Sequence, residues 1–246
     1  MTADWLARSL TLFDEARLED GTPFACAREA TIALPDDAPG PIELEITPRN
    51  AFGFLLAPHA LNFPFTYEPR EAHMLAPYRQ IRSALMLPFW QPPTTPQPTV
   101  ETLVALNQAL HDNLTYERRE EGAAYTPEET LRLGRGSCRD FTVLLAEVAR
   151  SRGLAARLAS GYLCEFGSEN KVAEGALHAW TEIYLPGAGW VGFDPTNGYL
   201  CNHHHITAAV GLTPEDISPI LGNYFHPTHV PAQMTTSLQI FPHENP

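Results

Sequence analysis

Three residues in the second half of the chain have the side chains needed to cleave or transfer an acyl group: Cys138, His178 and Asp194. Cys138 stands in the stretch Gly134-Arg135-Gly136-Ser137-Cys138-Arg139-Asp140-Phe141. Two glycines bracket a turn, and from Phe141 onward apolar residues recur at Leu144, Leu145, Val148 and Ala149. That i, i+3, i+4, i+7, i+8 spacing predicts a helix with one buried stripe, closed by Gly153. Cys138 then falls in the first helical turn, off the stripe. Unpaired backbone N–H groups and the positive end of the helix dipole gather there and favour a thiolate. A cysteine kept for packing alone would lie on the stripe. Asp140 is expected to complement the helix N-terminus rather than to serve as a catalytic acid.

The other two candidates fall on a predicted hairpin. Residues 177–185 alternate as a strand, with His178, Trp180, Glu182 and Tyr184 on one face. Pro186-Gly187-Ala188-Gly189 is a turn, and the returning strand puts Trp190, Gly192 and Asp194 on one face. His178 and Asp194 share a side of the sheet only if opposed residues have equal parity. This predicts Tyr184 opposite Trp190, with Asp194 diagonal to His178. In such a site the imidazole takes the thiol proton and returns it to the leaving amine. The carboxylate holds the other ring N–H and stabilises the imidazolium. Trp180, Trp190 and Tyr184 are expected as substrate-binding walls. The backbone N–H of Cys138 is the expected oxyanion donor.

Several elements must position these groups. A helix is predicted over 99–113, with Val100, Leu103, Val104 and Leu110 on its apolar face. Thr126-Pro127-Glu128-Glu129 reads as a helix start, with threonine as N-cap, and delivers the chain to Gly134. Strands are expected over 155–163, 205–210 and 234–241, and a loop over 167–174. Upstream, a short helix is expected within residues 1–20 and strands over 42–46, 51–57 and 60–67. Helical turns are expected over 71–79. The segment 87–98 carries five prolines and reads as a stiff connection, with Phe89 and Trp90 packed on one neighbour. It divides a β-rich N-terminal domain, 1–95, from a catalytic domain, 96–246.

Composition narrows the function. A net charge of -13 on 246 residues argues against nucleic acid or an acidic membrane surface as partner. No apolar run is long enough to span a bilayer, and the first residues lack a basic-then-apolar signal pattern. A cytoplasmic setting is therefore expected, with Cys26, Cys138, Cys164 and Cys201 as free thiols. His203-His204-His205 cannot converge on one ion as a strand, because consecutive side chains alternate faces. Cys164 and Cys201 are expected to be structural. No metal and no cofactor are expected, and the oligomeric state is not legible.

Taken together, these motifs resemble the bacterial branch of the transglutaminase-like superfamily. The likeness rests on Gly136-Ser137-Cys138-Arg139-Asp140-Phe141, Ser160-Gly161-Tyr162-Leu163, residues 178–185 and residues 189–197. The stretches 209–211 and 214–219 are similar to that branch's C-terminal segment, although Leu212 stands where an arginine is common. Residues 50–54 and 61–67 resemble the end of its N-terminal β domain. The resemblance implies an α+β, papain-like core and amide chemistry through a cysteine thioester. It places the nucleophile at Cys138, the base at His178 and the orienting acid at Asp194. A peptide or protein amide, including a glutamine carboxamide, is the implied substrate, with an amine as alternative acceptor and hydrolysis favoured over transfer. Two other readings are an arylamine N-acetyltransferase fed by acetyl-CoA and a non-catalytic binding module.

Overall fold

The computed structural model describes residues 54–83, 85–119, 122–163, 177–202 and 204–218, together with the backbone of strands β1 Ser9–Arg17, β2 Pro23–Ala33 and β3 Glu43–Thr47. These first strands form an antiparallel sheet in the order β1-β2-β3. The strand expected over 42–46 is β3. The helix expected within residues 1–20 is corrected to β1, whose whole length is paired to β2 from Ser9↔Thr31 to Arg17↔Pro23. Such pairing outweighs a weak local helical preference.

Strand β4 Asn62–Phe63 pairs with β5 Gln97–Pro98. Helix α1 Pro69–Met74 and a 3-10 turn at Ala76–Arg79 occupy the stretch expected to contain helical turns. The strand expected over 60–67 shrinks to β4, since Pro64 has no N–H to continue a ladder. Of the strand expected over 51–57, residues 54–57 are irregular and 51–53 lie outside the described residues.

Helix α2 is Thr99–Asn113 and helix α3 is Pro127–Leu133. The Thr126 side chain accepts from the Glu129 N–H at 3.2 Å, which is the expected cap. Gly134 ends α3 in the left-handed conformation. Strand β7 Arg135–Gly136 then pairs in parallel with β6 Thr115–Tyr116, and α4 Cys138–Ser151 begins. Five further strands complete the fold: β8 Ala156–Leu163, β9 Leu177–Leu185, β10 Gly189–Asp194, β11 Tyr199–Leu200 and β12 His205–Gly211. They form one antiparallel sheet in the order β11-β10-β9-β8-β12. The expected loop over 167–174 and strand over 234–241 lie outside the described residues.

Helix α4 lies on one face of this sheet. Its stripe of Phe141, Leu144, Leu145, Val148 and Ala149 is fully buried and packs with Ala179, Ile183 and Leu185 of β9. Each of these side chains larger than alanine contributes about 1.5–3 kcal/mol of burial. Thr181 Oγ1 donates to the Thr142 carbonyl at 2.8 Å and fixes the register of helix on strand. Helix α2 adds Leu103, Leu106 and Leu110 to the same core, while Val100 and Val104 are only partly buried. Phe63, Leu85 and Leu87 join it, with Phe89 and Trp90 packed against its edge. The segment before the prolines thus shares the core of α2 and α4.

Candidate active site

The site is assembled where the first turn of α4 meets the β9–β10 hairpin. Asp140 anchors that turn. It is fully buried and accepts from the Ser137 N–H at 2.7 Å, from Ser137 Oγ at 2.9 Å and from the Tyr125 N–H at 2.7 Å. Arg119 Nη2 pairs with it at 2.9 Å. The expected complement to the helix N-terminus is therefore a reciprocal cap with a buried ion pair behind it. Gly136 is required here, because an added Cβ would come within 2.7 Å of Asp140 Cβ. The chain is held tightly on both sides of Cys138, which is itself a half-buried free thiol. As the first residue of α4, Cys138 has a backbone N–H with no intrahelical acceptor.

The hairpin has the expected register: Tyr184 lies opposite Trp190 and Thr181 opposite Phe193. One further step along each strand brings Asp194 diagonal to His178. His178 Nε2 lies 2.8 Å from Asp194 Oδ2, with both side chains fully buried. Burial alone would strip the proton from His178. The Asp194 charge and hydrogen bond, and then Cys138, outweigh it and raise the imidazolium to about 10. Asp194 is likewise pushed up by burial but held, on balance, well below the usual carboxylate range by His178 and His205. With Nε2 committed to Asp194, His178 Nδ1 is the nitrogen that remains for the thiol. It is buried with no hydrogen-bond partner among the described residues.

Helix α2 positions the acid from behind. Asn107 Nδ2 donates to the Asp194 carbonyl at 3.1 Å, and His111 Nδ1 lies 2.8 Å from the Thr196 carbonyl. Asp194 Oδ1 accepts from the N–H groups of Thr196 and Asn197 at 2.9 and 3.2 Å, so the turn before β11 cradles the carboxylate.

The expected walls fall elsewhere. Trp180 is 1% exposed and meets the His205 ring edge-to-face at 5.2 Å, so it supports the histidines from within rather than lining an open site. Tyr184 and Trp190 sit at the far end of the hairpin, about 20 Å along β9 from His178 at 3.3 Å per residue. They pack on each other at 5.4 Å and on Tyr67 and Tyr78. Arg157 stacks over Trp190 at 4.3 Å. The shared face was read correctly, but it carries no information about distance along the strand.

Two residues beside the site were not assigned to it by sequence reasoning. Tyr116 is brought next to Gly136 by the β6–β7 pairing. Its phenol is pushed up first by partial burial and then by the Cys138 charge, with Asp194 also contributing. The second is His205, whose Nε2 lies 3.1 Å from Asp194 Oδ2. The side-chain donors of His178, Asp194 and His205 lie within 4.8 Å of one another, a spacing compatible with a metal ion. In this structure the three groups are paired with one another, with Nε2 of both histidines within hydrogen-bond distance of Asp194 Oδ2.

Residues 89–195 match the family model described as Transglutaminase-like superfamily. The helix bearing Cys138 packed on the antiparallel sheet bearing His178 and Asp194 is the arrangement expected of that family. Residues 89–195, a little under half of the chain, thus form a transglutaminase-like core. The uncharacterized protein Rv2569c of Mycobacterium tuberculosis is 31% identical over 133 residues, 51% of this chain and 42% of its own length. The chain thus spans less than half the length of that relative. Uncharacterized protein YebA of Bacillus subtilis is 31% identical over 96 residues, 36% of this chain and 13% of its own. Among solved structures, the periplasmic domain of TgpA from Pseudomonas aeruginosa matches at a TM-score of 0.32 and 25% identity, covering 56% of this chain and 48% of that one. No described helix is long and apolar enough to cross a membrane.

Proposed function

We propose that the protein is a cysteine-dependent amidase that forms a thioester between Cys138 and the acyl part of a peptide or protein amide. The observation that carries this reading is the fully buried His178–Asp194 pair at 2.8 Å, set beside a thiol at a helix N-terminus. Asp194 holds the His178 proton on Nε2, which leaves Nδ1 to take the thiol proton and pass it to the departing amine. The Cys138 N–H and the Tyr116 hydroxyl are the donors we assign to the oxyanion. A free-thiol nucleophile suits a reducing, cytoplasmic setting.

Water or an amine can release the acyl group. Hydrolysis is the default, because transfer requires the amine to be bound and oriented, and of the aromatic residues expected as walls Tyr184 and Trp190 lie far from His178 while Trp180 is buried. Orientation can supply effective molarities of about 10⁵ M or more, so an acceptor site elsewhere in the cleft would change the balance. A glutamine-containing peptide and labelled cadaverine separate the outcomes by the ratio of free acid to conjugate, with Cys138→Ala as control. Free acid is expected to dominate at millimolar amine. Predominant conjugate would overturn the hydrolase reading, and neither product over a wide donor panel, acetyl-CoA included, would point to a binding module.

A further inference from the structure

Asp194 Oδ2 receives two histidines, and the catalytic reading uses only one. His205 is 1% exposed and opens β12, where it lies opposite Leu163 of β8. Strand β8 in turn sets Gly161 opposite His178. Gly161 lets β12 approach β8, since a Cβ there would fall 1.8 Å from the Ile206 carbonyl oxygen. His205 Nε2 reaches Asp194 Oδ2 at 3.1 Å, and an ionised carboxylate can only accept, so Nε2 carries a proton. Its Nδ1 lies 3.2 Å from the Asn202 backbone N. Asn202 Oδ1 lies 3.3 Å from the same Nδ1, so the proton that the geometry fixes is the one on Nε2. Trp180 and Tyr199 hold the ring edge-to-face at 5.2 and 5.8 Å.

We infer that His205 is a positioning residue of the thiol site: its Nε2–H shares Asp194 Oδ2 with His178 and moderates the grip of the carboxylate on the His178 proton. This rests on the catalytic reading given above. The charged and titratable groups facing His178 are Asp194 from β10, Cys138 from α4 and His205 from β12. Tyr116, with Arg118 beside it, lies near Cys138 and Asp194. Of these, His205 is the N–H donor on the oxygen that binds His178. Withdrawing its N–H returns negative charge to Oδ2 and strengthens the hold on the imidazolium. Without His205 the proton on His178 therefore leaves at higher pH.

Iodoacetate reads this without a substrate. Its carboxylate is drawn to the imidazolium, so the rate of Cys138 alkylation falls as His178 deprotonates. The His205→Phe variant keeps an aromatic ring against Trp180 but loses the donor. Its alkaline limb is expected to move up by roughly half a pH unit or more, whereas His205→Gln, which keeps an N–H, should return it to the wild-type position. A limb unmoved in both variants, or moved equally in both, would overturn the inference and leave His205 as packing. If wild-type Cys138 shows no falling limb at all, the catalytic reading itself fails. Should His205→Phe not fold, histidine ¹⁵N spectra of the wild type decide: His205 is expected to carry a proton on Nε2, and a ring protonated on Nδ1 alone would overturn the inference.

Discussion

At the scale of single residues, the site is governed by the charge on Asp194. Its Oδ2 serves His178, His205 and Asn197 Nδ2, the last at 2.8 Å. The linkage to stability has two signs. His178 is raised in the fold, so its contribution is complete below its unfolded value of about 6.5 and is lost as pH rises toward the folded value. Asp194 is lowered, so its contribution is complete above its unfolded value of about 3.9 and is lost as pH falls below it. The melting-temperature gap between wild type and Asp194→Asn is therefore expected to be widest between these two values and to shrink toward pH 10. A gap that grows with pH above 7 would contradict the pairing. Tyr116 yields a kinetic expectation. Tyr116→Phe removes an assigned oxyanion donor and should lower turnover of any amide that the wild type cleaves by on the order of 10²-fold, with Cys138 alkylation little changed. Unchanged turnover would remove Tyr116 from the site.

At the scale of elements, the N-terminal turn of α4 decides where the thiol stands. Asp140 is the common acceptor for Ser137, Tyr125 and Arg119, and of these Ser137 is buried away from water. Asp140→Ala leaves the Arg119 charge without its counter-charge and the buried Ser137 N–H without an acceptor. It should destabilise the fold by about 3–5 kcal/mol, measured by urea unfolding, and slow Cys138 alkylation under conditions where the variant remains folded. A loss below about 1 kcal/mol would mean that the ion pair contributes little beyond a surface cap. The helix itself was legible in the sequence. Its apolar spacing and Gly153, like the Thr126 cap of α3, each act within a few residues, and all are found in the structure. The same locality explains the hairpin register, which a single parity argument determines.

At the scale of the whole molecule, long-range contacts were less legible. Tyr67 joins the segment before the prolines to the main sheet. Its hydroxyl donates to the Tyr184 carbonyl at 2.8 Å and accepts from the Ala155 N–H at 2.9 Å. Burial pushes its phenol well above the usual range. Tyr67→Phe strands both backbone groups and should cost about 1–3 kcal/mol. A neutral result by thermal unfolding would show that water replaces the hydroxyl there. Neither this contact nor that of His205 with Asp194 follows from local pattern. The strand over 205–210 was readable from its residues, but its place beside β8 depends on sheet order, which one sequence does not encode locally. Trp180, Tyr184 and Trp190 show the converse: alternation gave their common face, while position along the strand separated two of them from the chemistry.

The central claim is that Cys138 is the activated nucleophile, and competitive alkylation tests it most directly. The folded protein is treated with iodoacetamide at pH 6 and the label on Cys26, Cys138, Cys164 and Cys201 is counted by peptide mapping. Cys138 is expected to react roughly tenfold or more faster than Cys26, and to lose that advantage in His178→Asn. Equal rates at Cys138 and Cys26 in the wild type would contradict the account.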